Sequence, residues 1–148
     1  MKIEEIVVNK TDYTELLLIG DENETMINKY LDKSHLYVLY DNNKLISLCA
    51  VMRLDNKTVE ITNLATYPEF QNKGYASILL KFVFEKYKKN FRTIILGTGE
   101  NEITLNFYKK FGFVEFSVIK NFFVDNYPSP IFENGRQLID KIYLKKDL

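Results

Sequence analysis

A short junction with the sequence QNKGYA occupies residues 71–76, between the strand-like run LATYPEF and a helix-like run of apolar residues. The first amide groups of a helix lack partners within it, and the helix dipole favours an anion at that end. Gly74 would let the backbone pass close to such a ligand, and Lys73 would add a positive charge. The junction therefore predicts a binding site for a phosphate-like group.

Two common phosphate-binding motifs do not fit this junction. A Walker-type loop requires GxxxxGK followed by Ser or Thr, and a dinucleotide fingerprint requires GxGxxG. Neither pattern surrounds Gly74, and Gly97 and Gly99 follow a different predicted strand. Taken alone, the junction leaves open a nucleotide-phosphate binder and a plain helix start that contains a glycine.

The chain has one cysteine and one histidine. Cys49 lies in the apolar run LISLCAVM, so we expect a buried structural thiol rather than a nucleophile paired with His35. His35 heads the run HLYVLY and is expected to be a strand-end residue. With no second histidine or cysteine, we expect no zinc site and no metal.

Length and composition indicate one compact domain over residues 1–148. Hydrophobic residues make up 46% of the chain and charged residues 27%. Twenty basic and twenty acidic side chains cancel, which argues against a nucleic-acid partner. The apolar runs are shorter than the roughly 20 residues that a membrane-spanning helix needs, and no signal peptide is evident at the N-terminus. We therefore expect a cytoplasmic protein without a membrane partner.

The periodicity of apolar residues predicts the element order β α α β β β α β α β β, which is a mixed α+β sheet protein. Three consecutive strands joined by the turns at 41–44 and 54–57 predict an antiparallel meander. A crossover helix then implies that the strands around VEITNLA and RTIIL are parallel neighbours. Strands are expected at 2–8, 35–41, 44–54, 57–67, 91–96, 113–119 and 136–144, and helices at 11–20, 21–33, 76–87 and 102–111.

Local signals mark the ends of several predicted elements. Asp21 and Glu24 have the spacing of a capping box, and Gly112 suits the end of the second long helix. The segment 126–135, with two prolines, is expected to be an irregular loop between the last two strands.

Three motifs together resemble the GNAT family of N-acetyltransferases. QNKGYA resembles the family signature Q/R-x-x-G-x-G/A, and LATYPEF resembles the strand-end pattern L-A-V-x-P-x-F/Y. NEITLNFYKKFGF resembles the second signature, N-x-x-A-x-x-F/L-Y-x-x-x-G-F. The resemblance, to a small single-domain bacterial type, implies the GNAT acyl-CoA N-acyltransferase fold. This fold has a mixed central sheet of about seven strands, about four helices and parallel, splayed central strands.

The resemblance also implies acetyl-CoA as co-substrate. Its pyrophosphate would rest on the signature-loop amides, and its pantetheine arm would pair with the preceding strand end. Gln71 stands where arginine is more frequent. The implied cofactor-binding residues are Leu64, Ala65, Thr66, Gln71, Asn72, Lys73, Gly74, Tyr75, Ala76, Ser77, Asn101 and Tyr108.

Catalytic roles are likewise implied by the resemblance. Tyr108 would protonate the departing thiolate, since a phenol pKa of roughly 10 lies above a thiol pKa of about 8.5; alternatively, it packs on the sheet. Asn101 would bind the pantetheine arm, although an N-cap would look the same in sequence. Glu60 would be the base for the amine, with an exposed structural glutamate or ordered water as alternatives.

The implied reaction is transfer of an acetyl group to a primary amine in a ternary complex, with a small-molecule or peptide amine as acceptor. A non-catalytic acetyl-CoA-binding sensor is the alternative, and either would be a monomer or a homodimer. In the family, segments matching 21–34 and 121–136 shape the acceptor pocket. Six residues there could bind a cationic amine or could instead be core and solvated side chains: Phe122, Phe123, Asp125, Tyr127, Phe132 and Glu133.

Overall fold

A computed structural model describes residues 1–148 as two compact units, Met1–Phe91 and Arg92–Leu148. The first unit contains four strands, three helices and short 3₁₀ turns at Lys10–Tyr13, Leu31–Lys33 and Pro68–Phe70. In chain order its elements are β1 (Lys2–Ile6), α1 (Thr14–Gly20), α2 (Glu24–Tyr30), β2 (Ser34–Asp41), β3 (Lys44–Arg53), β4 (Thr58–Thr66) and α3 (Tyr75–Tyr87).

The second unit contains five strands and two helices. They are β5 (Thr93–Gly99), α4 (Glu102–Lys109), β6 (Val114–Ile119), α5 (Phe122–Asn126), β7 (Phe132–Glu133), β8 (Arg136–Gln137) and β9 (Lys141–Asp147).

In the first unit, β1, β2, β3 and β4 form an antiparallel meander, which confirms that prediction. The turn between β2 and β3 has Asn42 and Asn43 at positive φ, the geometry of a two-residue hairpin turn. Asp55 fixes the next turn, since its carboxylate accepts the amides of Lys57 and Thr58 at 2.7 and 2.8 Å. Both predicted turns are therefore present, one through positive φ at two asparagines and the other through hydrogen bonds to the Asp55 carboxylate.

The meander carries helices on both faces. On one face α1 and α2 cover a cluster of buried side chains: Leu16, Leu17, Ile27, Leu31, Leu36, Val38, Leu48, Ala50 and Ala65. On the other face α3 packs through Phe82 and Tyr87 against Tyr37, whose hydroxyl lies 2.6 Å from that of Tyr87. Cys49 lies opposite Tyr37 and is fully buried, which confirms the structural-thiol prediction. Burial raises the pKa of its thiol.

In the second unit, β9 pairs antiparallel with both β5 and β6. The segment 126–135 is the expected irregular loop only at residues 127–131, and the prediction is wrong for residues 132–135. Asn134 and Gly135 have φ of 51° and 76° and form a hairpin turn that pairs β7 with β8. The Asn-Gly dipeptide is the sequence signal for this turn, and the two prolines before it obscured that signal.

The strand predicted at 136–144 is also corrected. Arg136 and Gln137 pair back onto β7, so the long strand β9 begins only at Lys141. Between the two, the amide of Leu138 donates to the carbonyl of Ile131 at 2.8 Å. Gly97 and Gly99, expected after a strand, lie within β5.

Two further expectations at helix ends are corrected. The first residue of α2 is Glu24, and its N-cap is Asn23, whose side chain accepts the amide of Met26 at 3.0 Å. Asp21 instead accepts the amide of Asn23, so the predicted capping box is wrong. The helix predicted to end at 111 ends at Lys109, and Gly112 follows at φ 94°. The short helix α5 was not predicted.

The position of His35 agrees with the sequence, and two predictions about the whole chain stay predictions. His35 is the second residue of β2 and lies 2.9 Å from a carboxylate oxygen of Glu5, as suits a strand-end residue. The predicted parallel pairing of VEITNLA with RTIIL would join the two units and stays a prediction, as does a single domain over 1–148. None of the helices is long and apolar enough to cross a membrane.

Candidate functional site

The N-terminus of α3 has the features of an anion site. Gly74 is its N-cap at φ 90°, and no side chain caps the helix. The first turn contains no acidic residue. The earliest amide bonded within the helix is that of Ile78, which donates to the carbonyl of Gly74 at 3.1 Å. The preceding amides lack helical partners and can point at an anion.

Space for a ligand also exists at this helix start. A Cβ built on Gly74 would meet no atom within 4 Å, so the glycine faces open space. Asn72 also adopts a positive φ, 61°, and such left-handed residues help backbone amides converge on anions. Lys73 is exposed beside them. The residues present therefore fit a pyrophosphate group.

Side chains of the signature loop hold it in place. The hydroxyl of Tyr75 donates to Asp41 at 2.7 Å, which ties the start of α3 to the end of β2. That hydrogen bond raises the pKa of Tyr75. The side-chain amide of Gln71 donates to the carbonyl of Thr66 at 3.0 Å. Gln71 thus links the loop to the end of β4, a role the sequence did not indicate.

The predicted pantetheine residues Leu64, Ala65 and Thr66 are the last three residues of β4. The Ser47 hydroxyl donates to the Ala65 carbonyl at 2.7 Å and lies 2.9 Å from the Thr66 hydroxyl. Ser47 is fully buried. The strand end is therefore braced from the β3 side by a hydroxyl that sequence reasoning did not single out.

A β-bulge in β4 re-aims its side chains. Val51 pairs with Ile61 and Ala50 pairs with Asn63, so Thr62 is the extra residue. Directly opposed side chains share a face, and Ala50 belongs to the cluster under α1 and α2, whereas Val51 lies on the α3 face. The bulge therefore turns Asn63 toward α1.

Asn63 is buried and connects β4 to both N-terminal helices. Its amide donates to the Leu17 carbonyl at 3.0 Å and to the Tyr30 hydroxyl at 3.1 Å. Tyr30 in turn donates to Asp21 at 3.2 Å, and burial raises the pKa of Tyr30. The side-chain oxygen of Asn63 has no hydrogen-bond partner. The adjacent polar residues Thr62 and Asn63, which interrupt the alternation of the strand run VEITNLA, were the available signal for this connection.

The candidate base Glu60 also lies on β4, opposite Met52, and is half-buried. Glu60 lies four positions before Leu64, which is about 13 Å along a strand. The distance from Glu60 to the strand end therefore exceeds the length of its side chain.

Helix α4 carries the two remaining predicted residues. Asn101 is its N-cap, with an oxygen that accepts the amides of Ile103 at 3.0 Å and Thr104 at 3.5 Å. The N-cap alternative is thus confirmed. Tyr108 lies seven residues on, two turns along the same helical face. It is only 8% exposed, and its ring meets those of Phe107 and Phe113 edge to face.

The β7–β8 hairpin lies against the start of α4. Glu133 accepts the side-chain amide of Asn101 at 3.2 Å, and the Asn134 side chain donates to the Asn101 oxygen at 3.2 Å. Arg136 lies 3.9 Å from a carboxylate oxygen of Glu100. A cavity of about 240 Å³ is lined by these residues together with Glu102 and Ile103.

One of the aromatic residues proposed for an acceptor, Phe122, already contacts a cation of the chain itself. The ammonium of Lys141 lies 4.4 Å from the ring centroid of Phe122 and 5.1 Å from that of Tyr143. Phe122 also packs against Phe123 and Tyr127. Phe132 is 60% exposed and Asp125 is also exposed. No group of three or more His, Cys, Asp or Glu side chains is arranged to hold a metal ion.

Comparison with known proteins identifies what the chain is similar to. A family described as an acetyltransferase (GNAT) domain matches residues 32–115, more than half of the chain. A Bacillus subtilis (strain 168) protein described as the uncharacterized N-acetyltransferase YvbK is 34% identical over 136 residues, covering 90% of this chain and 88% of the relative.

Two solved structures agree with that match over almost the full length. A GNAT family acetyltransferase from Elizabethkingia anophelis with acetyl-CoA bound has a TM-score of 0.94 and 36% identity, covering 99% of this chain and 97% of that one. A Bacillus subtilis acetyltransferase in complex with CoA has a TM-score of 0.90 and 32% identity, covering 99% and 98%. The α+β fold expected from the motifs is therefore confirmed.

Proposed function

This chain belongs to the GNAT family of acetyltransferases and is an N-acetyltransferase, and on that premise we propose that it acetylates a primary amine by direct transfer in a ternary complex with acetyl-CoA. The observation that carries the proposal is the uncapped start of α3, where Gly74 leaves open space and backbone amides available to an anion. Two relatives of similar length hold acetyl-CoA or CoA, which supports the same co-substrate here.

Residues Gln71 to Ser77 would hold the pyrophosphate, mainly through main-chain amides. Leu64, Ala65 and Thr66 would pair with the pantetheine arm, and Asn101 would donate to it. A backbone amide at the strand end would also stabilise negative charge on the thioester oxygen, a contribution typically worth about 10²-fold or more in rate. When bound, acetyl-CoA supplies the acetyl group as a thioester.

Tyr108 would supply the proton to the departing sulfur from its Oη. Its burial supports this role, because a group shielded from bulk water can transfer its proton to a specified atom. The acceptor must lose a proton before attack, and Glu60 would take it through water, given its separation from the strand end. Ordered water without Glu60 is the alternative base.

Both units would serve this one activity, so we propose a single acetyltransferase domain over residues 1–148. The coverage of 99% of the chain by the two solved relatives supports this assignment. The acceptor is a primary amine on a small molecule, an amino-acid derivative or a peptide, and the protein acts as a monomer or a homodimer.

The decisive experiment is a screen of primary amines with acetyl-CoA and mass-spectrometric detection of acetyl transfer. Tyr108→Phe should lower kcat for any acceptor found by about 10²-fold or more, a larger effect than its effect on acetyl-CoA affinity. Tyr87→Phe is the matched control, because it removes a hydroxyl from a similarly buried tyrosine, 9% exposed, that lies outside the predicted site.

Two outcomes would redirect the proposal. If acetyl-CoA binds but no amine in a broad panel is acetylated and Tyr108→Phe changes nothing, a non-catalytic sensor of acetyl-CoA replaces the enzyme. If ATP stabilises the protein against heat in preference to CoA, the site at α3 belongs to a nucleotide-phosphate binder.

A further inference from the structure

The hydrogen bonds of Asn101 fix which way its side-chain amide points. An asparagine amide has an oxygen that accepts and a nitrogen with two N–H groups that donate. The oxygen already accepts from the amide of Ile103 and from the side chain of Asn134. One N–H donates to the carboxylate of Glu133. These contacts occupy the side-chain oxygen of Asn101 and one of its two N–H groups. The second N–H remains to donate.

The reverse orientation of the same amide is excluded by its neighbours. A flipped Asn101 would turn its nitrogen toward three N–H donors, those of Ile103, Thr104 and Asn134, and its oxygen toward the Glu133 carboxylate, which can only accept when ionised. Helix capping alone would orient the oxygen. The hairpin adds a second constraint from the opposite side, because Glu133 holds the nitrogen.

We propose that Glu133 and Asn134 are positioning residues that orient Asn101, so that its remaining N–H is presented to a carbonyl group of the pantetheine arm. This inference rests on the proposed function and goes beyond it, since it assigns a cofactor-orienting role to the tip of the β7–β8 hairpin. The hairpin tip is part of the segment 121–136 that the family resemblance assigns to the acceptor side.

Exposure and turn geometry allow Glu133 and Asn134 to be substituted with little effect on the fold. Glu133 and Asn134 are both exposed, so their replacement removes no core contact. Asn134 has φ 51°, a conformation that glycine adopts freely, so Asn134→Gly keeps the turn and removes only the donor. Glu133→Gln keeps a side-chain oxygen that can accept from Asn101, whereas Glu133→Ala removes it.

Calorimetric titration of each variant of the full chain with CoA is the test, with thermal unfolding recorded for each. Glu133→Ala and Asn134→Gly should each weaken CoA binding by about 3- to 10-fold, the worth of one hydrogen bond. Glu133→Gln should stay within about twofold of the wild type. Glu102→Ala is the matched control, because it removes a carboxylate from the lining of the same cavity with no hydrogen bond to Asn101, and it should also stay within about twofold.

A double-mutant cycle separates positioning from a general effect of the hairpin. Asn101→Ser retains a hydroxyl that can cap α4 but has no amide N–H. In that background Glu133→Ala should cause no further loss of CoA affinity. Additive losses, or a Glu133→Ala variant that binds CoA like the wild type, would overturn the positioning role. A wild-type protein that does not bind CoA would instead refute the proposed function.

Discussion

The N-termini of α3 and α4 solve the same chemical problem in opposite ways. Each helix begins with amides that have no partner within the helix. At α4 the side chain of Asn101 accepts two of them, and Glu102 places a negative charge in the first turn. At α3 the N-cap is Gly74, no side chain caps the helix, and no acid occupies the first turn. One helix start is capped by a side chain of the chain itself, and the other has no side-chain cap.

Backbone conformation decides between the two solutions. Asn101 has φ −124° and ψ 113°, the extended geometry from which a side chain reaches the second and third amides of a helix. Gly74 has φ 90° and ψ 2°, a region in which other residues are strained. The positive φ at position 74 thus favours glycine, which has no side chain to cap the helix. The first amides of α3 are therefore left open. Capping by a side chain and binding of an anion are therefore alternative ways to satisfy the free amides of a helix N-terminus.

The largest test of this comparison is Gly74→Glu. A carboxylate beside the proposed pyrophosphate position should weaken CoA binding at least about a hundredfold, since juxtaposed like charges cost several kcal/mol. Calorimetric titration with CoA measures this loss. The cost in stability should be only about 1 kcal/mol, from the positive φ, because open space surrounds the glycine.

Gly74→Ala is the matched control for Gly74→Glu. It carries the same backbone strain without the charge, so its free energy of unfolding should match that of Gly74→Glu within a few tenths of a kcal/mol. Its CoA affinity should stay much closer to that of the wild type. If Gly74→Glu retains its affinity for CoA, the pyrophosphate does not lie at α3.

The converse test at α4 concerns stability. Asn101→Ala should lower the free energy of unfolding by about 1 kcal/mol, because two helix amides lose their acceptor. Asn101→Ser should restore most of that loss in urea denaturation while leaving CoA affinity reduced. If both substitutions reduce stability equally, the cap is not what Asn101 contributes to the fold.

Sequence reasoning reached most of the fold because local signals and hydrophobic period agreed there. The turn at Asn42 and Asn43 and the helical spacing of α3 both predicted what forms. It made no prediction about which face each β4 side chain occupies, and there the bulge at Thr62 turns Asn63 to the opposite face. The adjacent polar residues Thr62 and Asn63 interrupt the alternation of the run VEITNLA, but such an interruption alone does not specify a bulge.

The candidate site likewise contains features that the sequence predicted and features that it did not. The glycine of the signature loop was evident from the sequence, since it depends on a residue type at a fixed spacing. The contacts of Gln71 with Thr66 and of Glu133 with Asn101 were not, because each joins side chains or carbonyls whose positions depend on folding. The Asn134-Gly135 dipeptide is a hairpin signal in the sequence, but the two prolines that precede it are equally typical of an irregular loop.

A smaller effect is expected from Lys73→Ala. Lys73 is exposed at the start of α3, where a screened ion pair with a phosphate is worth at most about 1 kcal/mol. CoA affinity should fall about two- to fivefold, and its dependence on salt concentration should weaken. Titration at low and high salt measures both. A loss as large as that of Gly74→Glu would mean that the side chain, rather than the helix amides, dominates anion binding.

The smallest expected effect comes from Glu102→Gln at α4. Glu102 is exposed in the first turn of the helix, where a negative charge interacts favourably with the dipole by about 0.3–1 kcal/mol. The free energy of unfolding should fall by that amount in low salt and by less in high salt. Placing the same charge at α3 through Ala76→Glu should stabilise the helix by a similar amount but weaken CoA binding, because the carboxylate would occupy the end that the ligand needs. At α3 an added carboxylate should thus raise stability and lower CoA affinity. At α4 the loss of a carboxylate should change stability alone. The difference between the two helix starts requires both results.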